Sequence, residues 1–309
     1  MTYKNWINEW YSCKEKLVKE STFASYSNIL VNHLLPKFGQ CEVSDITEKE
    51  IQNYVFELLS NGRLDKQGGL SERAAKDIIV VLKNTLKDAI RNKLLSPNIF
   101  EVRFPISKRI EKLKILPIDV QQHLIQAIYL NLTRKTFGIL LCLYTGMRIG
   151  ELCGLKNKDL NFESQILNIS RTLQRIYKKH FDGTGKSKLI ETSPKSRSST
   201  REIPLSQILM PVFNRFDFTD SDNYFLSGTE KCIEVRTFRS YFENFLKRNN
   251  IEKFNFHSLR HTFATRCIEA GADCKTVSEI LGHSTVNMTL NLYVHPQLEQ
   301  KRKCVNLLQ

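Results

Sequence analysis

A charged residue lies within the apolar face of a predicted helix, and this placement limits how the chain can fold. Residues 257–269 read HSLRHTFATRCIE, and projection of a helix at 100° per residue gathers the apolar side chains into one broad arc. That arc consists of Leu259, Phe263, Ala264, Cys267 and Ile268. Arg260 falls inside it, and His257 falls near its edge. Because a buried guanidinium without a partner is strongly unfavourable, we expect Arg260 to require an anion.

The anion that suits this position best is a phosphate of nucleic acid. Within the segment, Glu269 projects to the opposite side and Asp273 lies beyond the break at Gly271. The planar fork of a guanidinium matches two phosphate oxygens. The net charge of +14 supports an anionic partner, since most of this charge is concentrated in residues 108–309. A polyanion is therefore the predicted partner, although charge alone also fits a soluble protein that is merely basic.

Composition predicts a globular protein with two domains. At 309 residues and 41% hydrophobic content, the chain has enough apolar material for two cores. No apolar run has the length of a membrane span, and a polar helix rather than a signal peptide follows Met1, so a cytoplasmic protein is expected. The eight cysteines show no C-x-x-C spacing and are predicted to be reduced core thiols rather than metal ligands.

The first 104 residues predict a compact all-α unit of four amphipathic helices. The first predicted helix covers residues 4–19, and the second runs from a cap at Ser21 or Thr22 to Leu35. The third runs from the Thr47 capping box to about Ser60, and the fourth runs from Ser71 to about Lys93. Pro36 and Gly39 are predicted to stop the second helix. Residues 105–117 begin and end with proline and are rich in Lys and Arg, which predicts a linker.

Residues 118–309 predict a second, mixed domain of helices and strands. Helices are predicted from caps at Asp119 and Thr133, over 206–214 and 234–250, and from His257 onward. Strands are predicted over 166–170, 172–177, 189–192 and 201–204. The last two strands are expected to form a hairpin whose loop projects Lys195. A lone lysine in a loop is ordinarily only solvated.

Two glycines bracket Arg148 at a predicted helix start. Residues 144–152 read YTGMRIGEL, with Gly146 and Gly150 on either side of the arginine. Bare backbone and the N–H groups of a helix start permit close approach of an anion. An exposed arginine at a helix junction is an equally good interpretation of this spacing.

These motifs, in their order, resemble the tyrosine recombinase (phage integrase) family. They are Thr145-Gly-Met-Arg148-Ile-Gly-Glu151-Leu152, Ser193-Pro-Lys195, His257-x-x-Arg260-His-Thr-Phe, Leu281-Gly-His283 and Tyr293. The resemblance covers nearly the whole chain and is closest to integrases of Gram-positive phages and conjugative elements. It implies a mainly α fold with a small antiparallel β-sheet, in which 1–104 form an all-α SAM-like core-binding domain and 118–309 an α+β catalytic domain. Those integrases often carry an additional N-terminal arm-binding domain, whereas this sequence starts directly in the core-binding domain, which leaves a simple Xer-like two-domain layout open.

The resemblance also implies the roles of the residues around the reacting phosphorus. Arg148 and Arg260 would clamp the phosphate. Tyr293 would be the nucleophile, forming a covalent 3′-phosphotyrosine, and His257 would be the base. Taken alone, Tyr293 has the spacing of a core aromatic residue, and no role is predicted for His261.

Three further residues complete the implied site. Lys195 would protonate the departing 5′-oxygen, His283 would donate a hydrogen bond to a non-bridging oxygen, and Glu151 would orient a clamping arginine. No metal, ATP or other cofactor is expected, because each cleavage is a transesterification.

The predicted function is site-specific DNA recombination by an integrase. The expected partner is double-stranded DNA with specific attachment or core sites, on which the protein is expected to form a homotetramer that synapses two sites. An excisionase and host DNA-bending proteins are expected accessory partners, and the nucleoid is the expected location. The C-terminal tail from Val294 is expected to dock on a neighbouring subunit. The alternatives are an Xer-type chromosome or plasmid dimer resolvase, a topoisomerase-like enzyme, and a catalytically inactive DNA-binding regulator on the same fold.

Overall fold

The computed structural model divides the chain into two compact units. It describes residues 1–98, 100–105, 114–192, 200–293, 302 and 305–306. The first unit comprises Met1–Ile110 with Ile176–Lys188, and the second comprises Glu111–Arg175 with Leu189–Gln309. Most of the predicted linker and of the C-terminal tail lies outside the described residues. The domain boundaries drawn from the sequence, and the docking of the tail, therefore stay predictions.

Helices build most of the first unit. They are α1 (Tyr3–Leu17), α2 (Glu20–Ile29), α3 (Leu35–Phe38), α4 (Glu48–Asn61) and α5 (Glu72–Arg91), with a π-helical segment Leu30–Leu34 before α3 and a 3₁₀ turn Val43–Asp45 before α4. The predicted caps of α4 and α5 are confirmed, since Thr47 and Glu50 form a reciprocal capping box and Ser71 accepts from the N–H of Ala74. Trp6, Trp10 and Leu82 are part of the core of this unit.

Two predictions about the second helix are wrong. Helix α2 begins at Glu20, with Lys19 rather than Ser21 or Thr22 at its N-cap. The negative charge of Glu20 in the first turn favours this start. Pro36 does not stop the helix, because it occupies the first turn of α3, where the missing N–H of proline is not needed. Gly39, the other predicted stop, is confirmed, since it is the C-cap of α3.

Over the described ranges 114–192 and 200–293, helices also make up much of the second unit. They are α6 (Ile118–Leu130), α7 (Arg134–Thr145), α8 (Ile149–Gly154), α9 (Met210–Phe213), α10 (Val235–Arg248), α11 (His257–Glu269), α12 (Cys274–Leu281) and α13 (Val286–Tyr293), with 3₁₀ turns at Asn157–Asp159 and Gln207–Leu209. The cap at Thr133 is confirmed. The cap at Asp119 is wrong, because Pro117 takes the N-cap position of α6. Asp119 still lies in the first turn, where its charge favours the helix start.

Two small sheets complete the structure. Strands β1 (Leu160–Asn161), β2 (Ile166–Ile169) and β5 (Arg201–Pro204) form an antiparallel sheet in the order β1-β2-β5, and β3 (Thr172–Lys179) pairs with β4 (Gly185–Thr192). The predicted hairpin of β4 with β5 is therefore wrong within the described residues. Strand β5 pairs with β2 instead, because Leu167 and Ile203 lie opposite each other and are both buried in the main core. Lys195 falls in the segment 193–199, outside the described residues.

The predicted apolar arc of α11 is buried in two clusters. Leu259 belongs to the main core of the second unit. Ala264 belongs to a smaller cluster with Val277, Leu281 and Tyr293. Helix α11 contacts α7, α12 and α13, the elements that carry or border the predicted site residues. Over the described ranges, no helix combines the length and apolar character needed to cross a membrane.

Candidate active site

Arg260 is as buried as the helical projection predicts. Only 2% of its surface is exposed, and its Nη1 donates to the carbonyl oxygen of Gly146 at 2.9 Å. Its Nη2 is buried and has no hydrogen-bond partner among the described residues. Burial, followed by the charge of Arg148, lowers the pKa of Arg260 to about 9, so the group remains a cation at neutral pH. An unmade hydrogen bond on a buried cation costs more than the ~1–3 kcal/mol of a neutral group, and an incoming anion would remove that cost.

Two glycines at helix ends hold the two arginines. Gly146 ends α7 and Gly282 ends α12, and both have a left-handed backbone with φ of 65°. The carbonyl of Gly146 accepts from Arg260, and the carbonyl of Gly282 accepts from Nη2 of Arg148 at 3.1 Å. Other residues lose about 1–2 kcal/mol in this conformation, which glycine adopts freely. The ends of α7 and α12 thus orient one backbone oxygen toward each arginine.

Arg148 is fixed by its own helix as well. It occupies the N-cap of α8, its Nη1 donates to Oε1 of Glu151 at 2.8 Å, and its backbone N–H donates to Oε2 at 2.8 Å. Its side chain is 37% exposed, whereas that of Glu151 is only 3% exposed. The guanidinium is therefore held at the helix start and is still reachable from solvent.

Arg201, at the start of β5, is a member of this cluster that the sequence analysis missed. Its Nη1 and Nη2 donate to the two carboxylate oxygens of Glu151 at 3.1 Å and 3.0 Å, and its Nε donates to the carbonyl of Ile280. Burial raises the pKa of Glu151, but the hydrogen bonds and charge of Arg201, together with Arg148, outweigh burial and lower it. One buried carboxylate is therefore shared by two guanidinium groups. No local pattern marks Arg201, since fifty residues separate it from Glu151.

The hydroxyl of Tyr293 contacts His261, which is not the predicted base. Tyr293 Oη lies 2.7 Å from His261 Nδ1, and the tyrosine is only 6% exposed. Burial raises the pKa of Tyr293, while the positive charges of Arg260 and Arg148 oppose that rise. The phenol therefore lies in the electric field of both arginines and beside an imidazole.

The predicted base, His257, contacts His261 rather than the phenol of Tyr293. Its ring packs edge-to-face against His261, with centroids 4.6 Å apart, and in the described part of the chain it makes no hydrogen bond to Tyr293. Partial burial, then the charges of His261, Arg260 and Arg148, lower the pKa of His257 to about 4.

His283 follows the glycine end of α12 and is buried. Its Nδ1 lies 2.9 Å from Oγ1 of Thr289, and its ring lies parallel to that of Tyr293 with centroids 6.4 Å apart. Burial, then the charges of Arg260 and Arg148, lower the pKa of His283 to about 4, so the ring is neutral at neutral pH. In the tautomer whose Nδ1 accepts from the threonine, Nε2 carries the hydrogen and can donate to a ligand.

An open groove of about 1030 Å³ borders the two histidines of α11. Its lining includes Lys114, Arg239, Glu243, Lys253, His257 and His261. Three of these side chains are cationic and one is anionic, a balance that suits a polyanion. Where the structure describes the chain, no group of three or more His, Cys, Asp or Glu side chains is placed to hold a metal ion.

The structure brings together every predicted site residue that it describes. Arg148, Glu151, His257, Arg260, His283 and Tyr293 all lie in the second unit and are linked by the contacts given above. His261 could have been found from the sequence, because it lies four residues after His257 and hence on the same side of the helix. Its partner, Tyr293, lies 32 residues away and could not.

Comparison with known protein families gives two matches. The phage integrase family matches residues 114–300, and the N-terminal SAM-like domain of phage integrases matches residues 2–59. A tyrosine recombinase XerC-like protein of Caldanaerobacter subterraneus subsp. tengcongensis is 28% identical over 324 residues, which cover 99% of this chain and 75% of that protein. The transposase of transposon Tn916 from Enterococcus faecalis is 32% identical over 183 residues, which cover 51% of this chain and only 41% of the transposase.

Two solved structures of DNA complexes have the same fold. The Tn1549 transposon integrase in complex with a circular intermediate DNA superposes with a TM-score of 0.77 at 23% identity, over 100% of both chains. A lambda integrase tetramer bound to a Holliday junction superposes with a TM-score of 0.63 at 17% identity, over 96% of this chain and 80% of that one. At these identities the likeness establishes the fold: a mainly helical chain with a SAM-like unit and small antiparallel sheets.

Proposed function

The chain belongs to the phage integrase family, and on this premise we propose that it is a site-specific DNA recombinase that cuts and rejoins DNA through a 3′-phosphotyrosine at Tyr293. The observation that carries the proposal is the buried Nη2 of Arg260, which has no partner in the described ranges. A backbone phosphate supplies the anion that this nitrogen lacks, and it is also the electrophile that a phenol attacks. The ester to tyrosine keeps the energy of the broken bond, so rejoining needs no ATP and the reaction needs no metal.

Arg148 and Arg260 act as the phosphate clamp. A phosphodiester is anionic and repels a nucleophile, and its pentavalent transition state gathers more charge on the non-bridging oxygens. Cations fixed before the substrate binds stabilise that charge without a cost of reorganisation. Glu151 and the carbonyls of Gly146 and Gly282 provide this fixation, through the hydrogen bonds that hold the two guanidinium groups.

The remaining side chains complete the proposed mechanism. His283 donates from Nε2 to a non-bridging oxygen. His257 is the proposed base for the phenolic proton, and its ring lies against that of His261, whose Nδ1 contacts the Tyr293 hydroxyl. Lys195 protonates the departing 5′-oxygen. That step needs a lysine whose pKa is below its usual value near 10.4, and two arginines beside the same phosphate favour this.

Double-stranded DNA is the partner, and we propose that recombination occurs in a homotetramer bound to two synapsed attachment sites. Exchange between two duplexes requires four strand cleavages, and four copies of one active site supply them. The lambda integrase tetramer on a Holliday junction supports this arrangement. An excisionase and host DNA-bending proteins are the proposed accessory factors, and the cytoplasmic nucleoid is the proposed location.

An Xer-type resolvase of chromosome or plasmid dimers is the second candidate. The XerC-like relative matches 99% of the chain, which favours this role, whereas the Tn916 transposase and the Tn1549 integrase favour a mobile element. An inactive DNA-binding regulator is disfavoured, because binding alone would not need the buried contact of Tyr293 with His261. DNA that flanks the gene distinguishes the first two: repeated attachment sequences and an excisionase-like reading frame belong to an integrase.

Covalent trapping of the protein on DNA tests the proposed function. The full-length protein is mixed with a nicked suicide substrate built on its own attachment site, and the protein–DNA adduct is separated on a denaturing gel. Tyr293→Phe is expected to abolish the adduct and to keep DNA binding. The matched control, Tyr129→Phe, removes an exposed hydroxyl of the same unit and should form adduct normally. An adduct from Tyr293→Phe would overturn the assignment of the nucleophile.

A further inference from the structure

We infer that Thr289 is a positioning residue of the proposed recombinase, which sets the tautomer and the orientation of the His283 ring. This inference rests on the proposed function, in which His283 donates a hydrogen bond to the phosphate. Oγ1 of Thr289 lies 2.9 Å from Nδ1 of His283, and both residues are buried. At that distance the hydroxyl decides which ring nitrogen carries the hydrogen.

The direction of this hydrogen bond follows from the burial of the hydroxyl. None of the surface of Thr289 is exposed (0%), so bulk water does not reach its side chain. A buried hydroxyl hydrogen needs an acceptor, and over the described ranges Nδ1 of His283 is the one partner of Oγ1. The hydroxyl therefore donates and Nδ1 accepts, which leaves the hydrogen of the neutral imidazole on Nε2.

The other nitrogen of the His283 ring is the one that can meet a substrate. In the described part of the chain Nε2 makes no hydrogen bond, and unlike Nη2 of Arg260 it is not enclosed by the protein. The charges of Arg260 and Arg148 act on this ring, so it lies near the two groups proposed to clamp the phosphate. A hydrogen on Nε2 is thus available to a non-bridging oxygen, whereas the other tautomer would present a lone pair and repel that oxygen.

Thr289 lies on the helix that carries the nucleophile. It precedes Tyr293 by four residues on α13, so the two buried side chains share one side of the helix. The rings of His283 and Tyr293 are parallel, with centroids 6.4 Å apart. A hydroxyl on α13 therefore fixes the imidazole in relation to the phenol, as an outer partner fixes a histidine that binds a metal.

Replacement of the hydroxyl by a methyl group tests this role. Thr289→Val keeps the shape of the side chain but cannot donate, so single-turnover cleavage of the suicide substrate should fall about 10-fold to 100-fold, the range for outer partners of metal-binding histidines. Thr289→Ser keeps the hydroxyl and should recover most of that loss. Thr265→Val is the matched control, because the buried Oγ1 of Thr265 on α11 has no partner in the described ranges; it should cleave at the parent rate.

A double-mutant cycle shows whether Thr289 acts through His283. In His283→Ala there is no ring left to orient, so the addition of Thr289→Val should lower cleavage less than about twofold. A further loss as large as the one in the parent background would contradict the inference, because Thr289 would then act independently of the histidine. Parent-like cleavage by the single variant Thr289→Val would contradict it equally.

The tautomer can also be measured without a cleavage assay. Nuclear magnetic resonance of the full chain with isotopically labelled histidine distinguishes a ring nitrogen that carries hydrogen from one with a lone pair, and His283→Ala identifies the signals. Hydrogen on Nε2 is expected in the parent protein without DNA, and hydrogen on Nδ1 would overturn the inference. Because this readout needs no cleavage, its failure is distinct from failure of the proposed function, which Tyr293→Phe tests.

Discussion

Arg201 and Glu151 form a two-point ion pair in which both side chains are almost fully buried, 6% and 3% exposed. The same carboxylate holds Arg148, whose exposed edge is assigned to the phosphate. A carboxylate serving Arg148 alone would cancel most of its charge. A second guanidinium restores a net positive charge to the group, so Arg201 acts as a positioning residue that keeps Arg148 both oriented and cationic.

Loss of Arg201 should damage both stability and catalysis. Arg201→Met leaves a buried carboxylate with one partner fewer, a change that costs about 3–5 kcal/mol of unfolding free energy in comparable pairs. The double variant Arg201→Met/Glu151→Gln should regain part of that stability without regaining cleavage, because the carboxylate that orients Arg148 is then absent. Urea unfolding and adduct formation measure the two effects. Recovery of cleavage together with stability would show that Arg201 has only a structural role.

The shape of the Arg260 head group should matter as much as its charge. Arg260→Lys keeps a cation, but an ammonium cannot hold the Gly146 carbonyl and present a second N–H in the same plane. Cleavage should fall on the order of 10²-fold or more, in line with the loss of a transition-state donor. Arg215→Lys, an exposed site of the same unit, is the control and should retain activity. Parent-like cleavage by Arg260→Lys would contradict a bidentate clamp.

Gly146 should be among the least replaceable residues for stability. A Cβ atom there would lie 2.5 Å from Phe263 Cδ1 and 2.7 Å from Leu281 Cδ2, in addition to the strain of the positive φ. Gly146→Ala should therefore cost about 2–5 kcal/mol, from backbone strain and overpacking together.

Gly271 gives the matched comparison for that measurement. It has a φ of 93° and no atom within 4 Å of the position of a Cβ, so Gly271→Ala should cost only the backbone term of about 1–2 kcal/mol. Urea unfolding of both variants isolates the packing contribution at Gly146. Equal losses would mean that Phe263 and Leu281 move aside without cost.

Stability should fall as the pH drops from about 7 toward 4, and His283 should contribute to that fall. The pKa of this buried ring is lowered from 6.5 to about 4. Below pH 6.5 His283 binds a proton in the unfolded chain but not in the folded chain. Its contribution to the free energy of unfolding is therefore complete above that pH and is lost progressively down to about pH 4. His283→Asn should show a shallower loss in urea midpoint between pH 7 and 4.5, and His123→Asn should keep the parent slope.

The proposed acid, Lys195, can be tested by changing the leaving group. A 5′-bridging sulfur departs without needing a proton, so a general acid becomes unnecessary. Lys195→Ala should therefore slow cleavage of an ordinary phosphodiester strongly and that of the 5′-phosphorothiolate only slightly. Lys188→Ala, an exposed lysine paired with Glu20, serves as the control for loss of positive charge. Equal slowing on both substrates would remove Lys195 from the role of acid.

The features that could be predicted from the sequence are those that depend on residues close together in the chain. The helix from His257, the burial of Arg260 and the caps at Thr47, Ser71 and Thr133 depend on neighbours within one or two turns, and all are confirmed. The order of motifs predicted the family, and with it the fold class.

The missed features depend on contacts between distant parts of the chain. Arg201 meets Glu151 across fifty residues, and Tyr293 meets His261 across 32. The wrong pairing of β5 has the same origin, since its partner β2 is chosen by burial of Ile203 against the main core rather than by closeness in sequence. Periodicity identifies a buried face, but it does not identify what lies against that face.

The turn that ends α12 ties two parts of the site into one piece. Gly282 supplies the carbonyl that Arg148 binds, and the very next residue, His283, reaches toward Tyr293. A shift of this turn would displace the carbonyl that anchors Arg148 and the imidazole of His283 together and in the same direction. A change of length at this corner would therefore misalign both groups at once, and no single substitution would compensate for it.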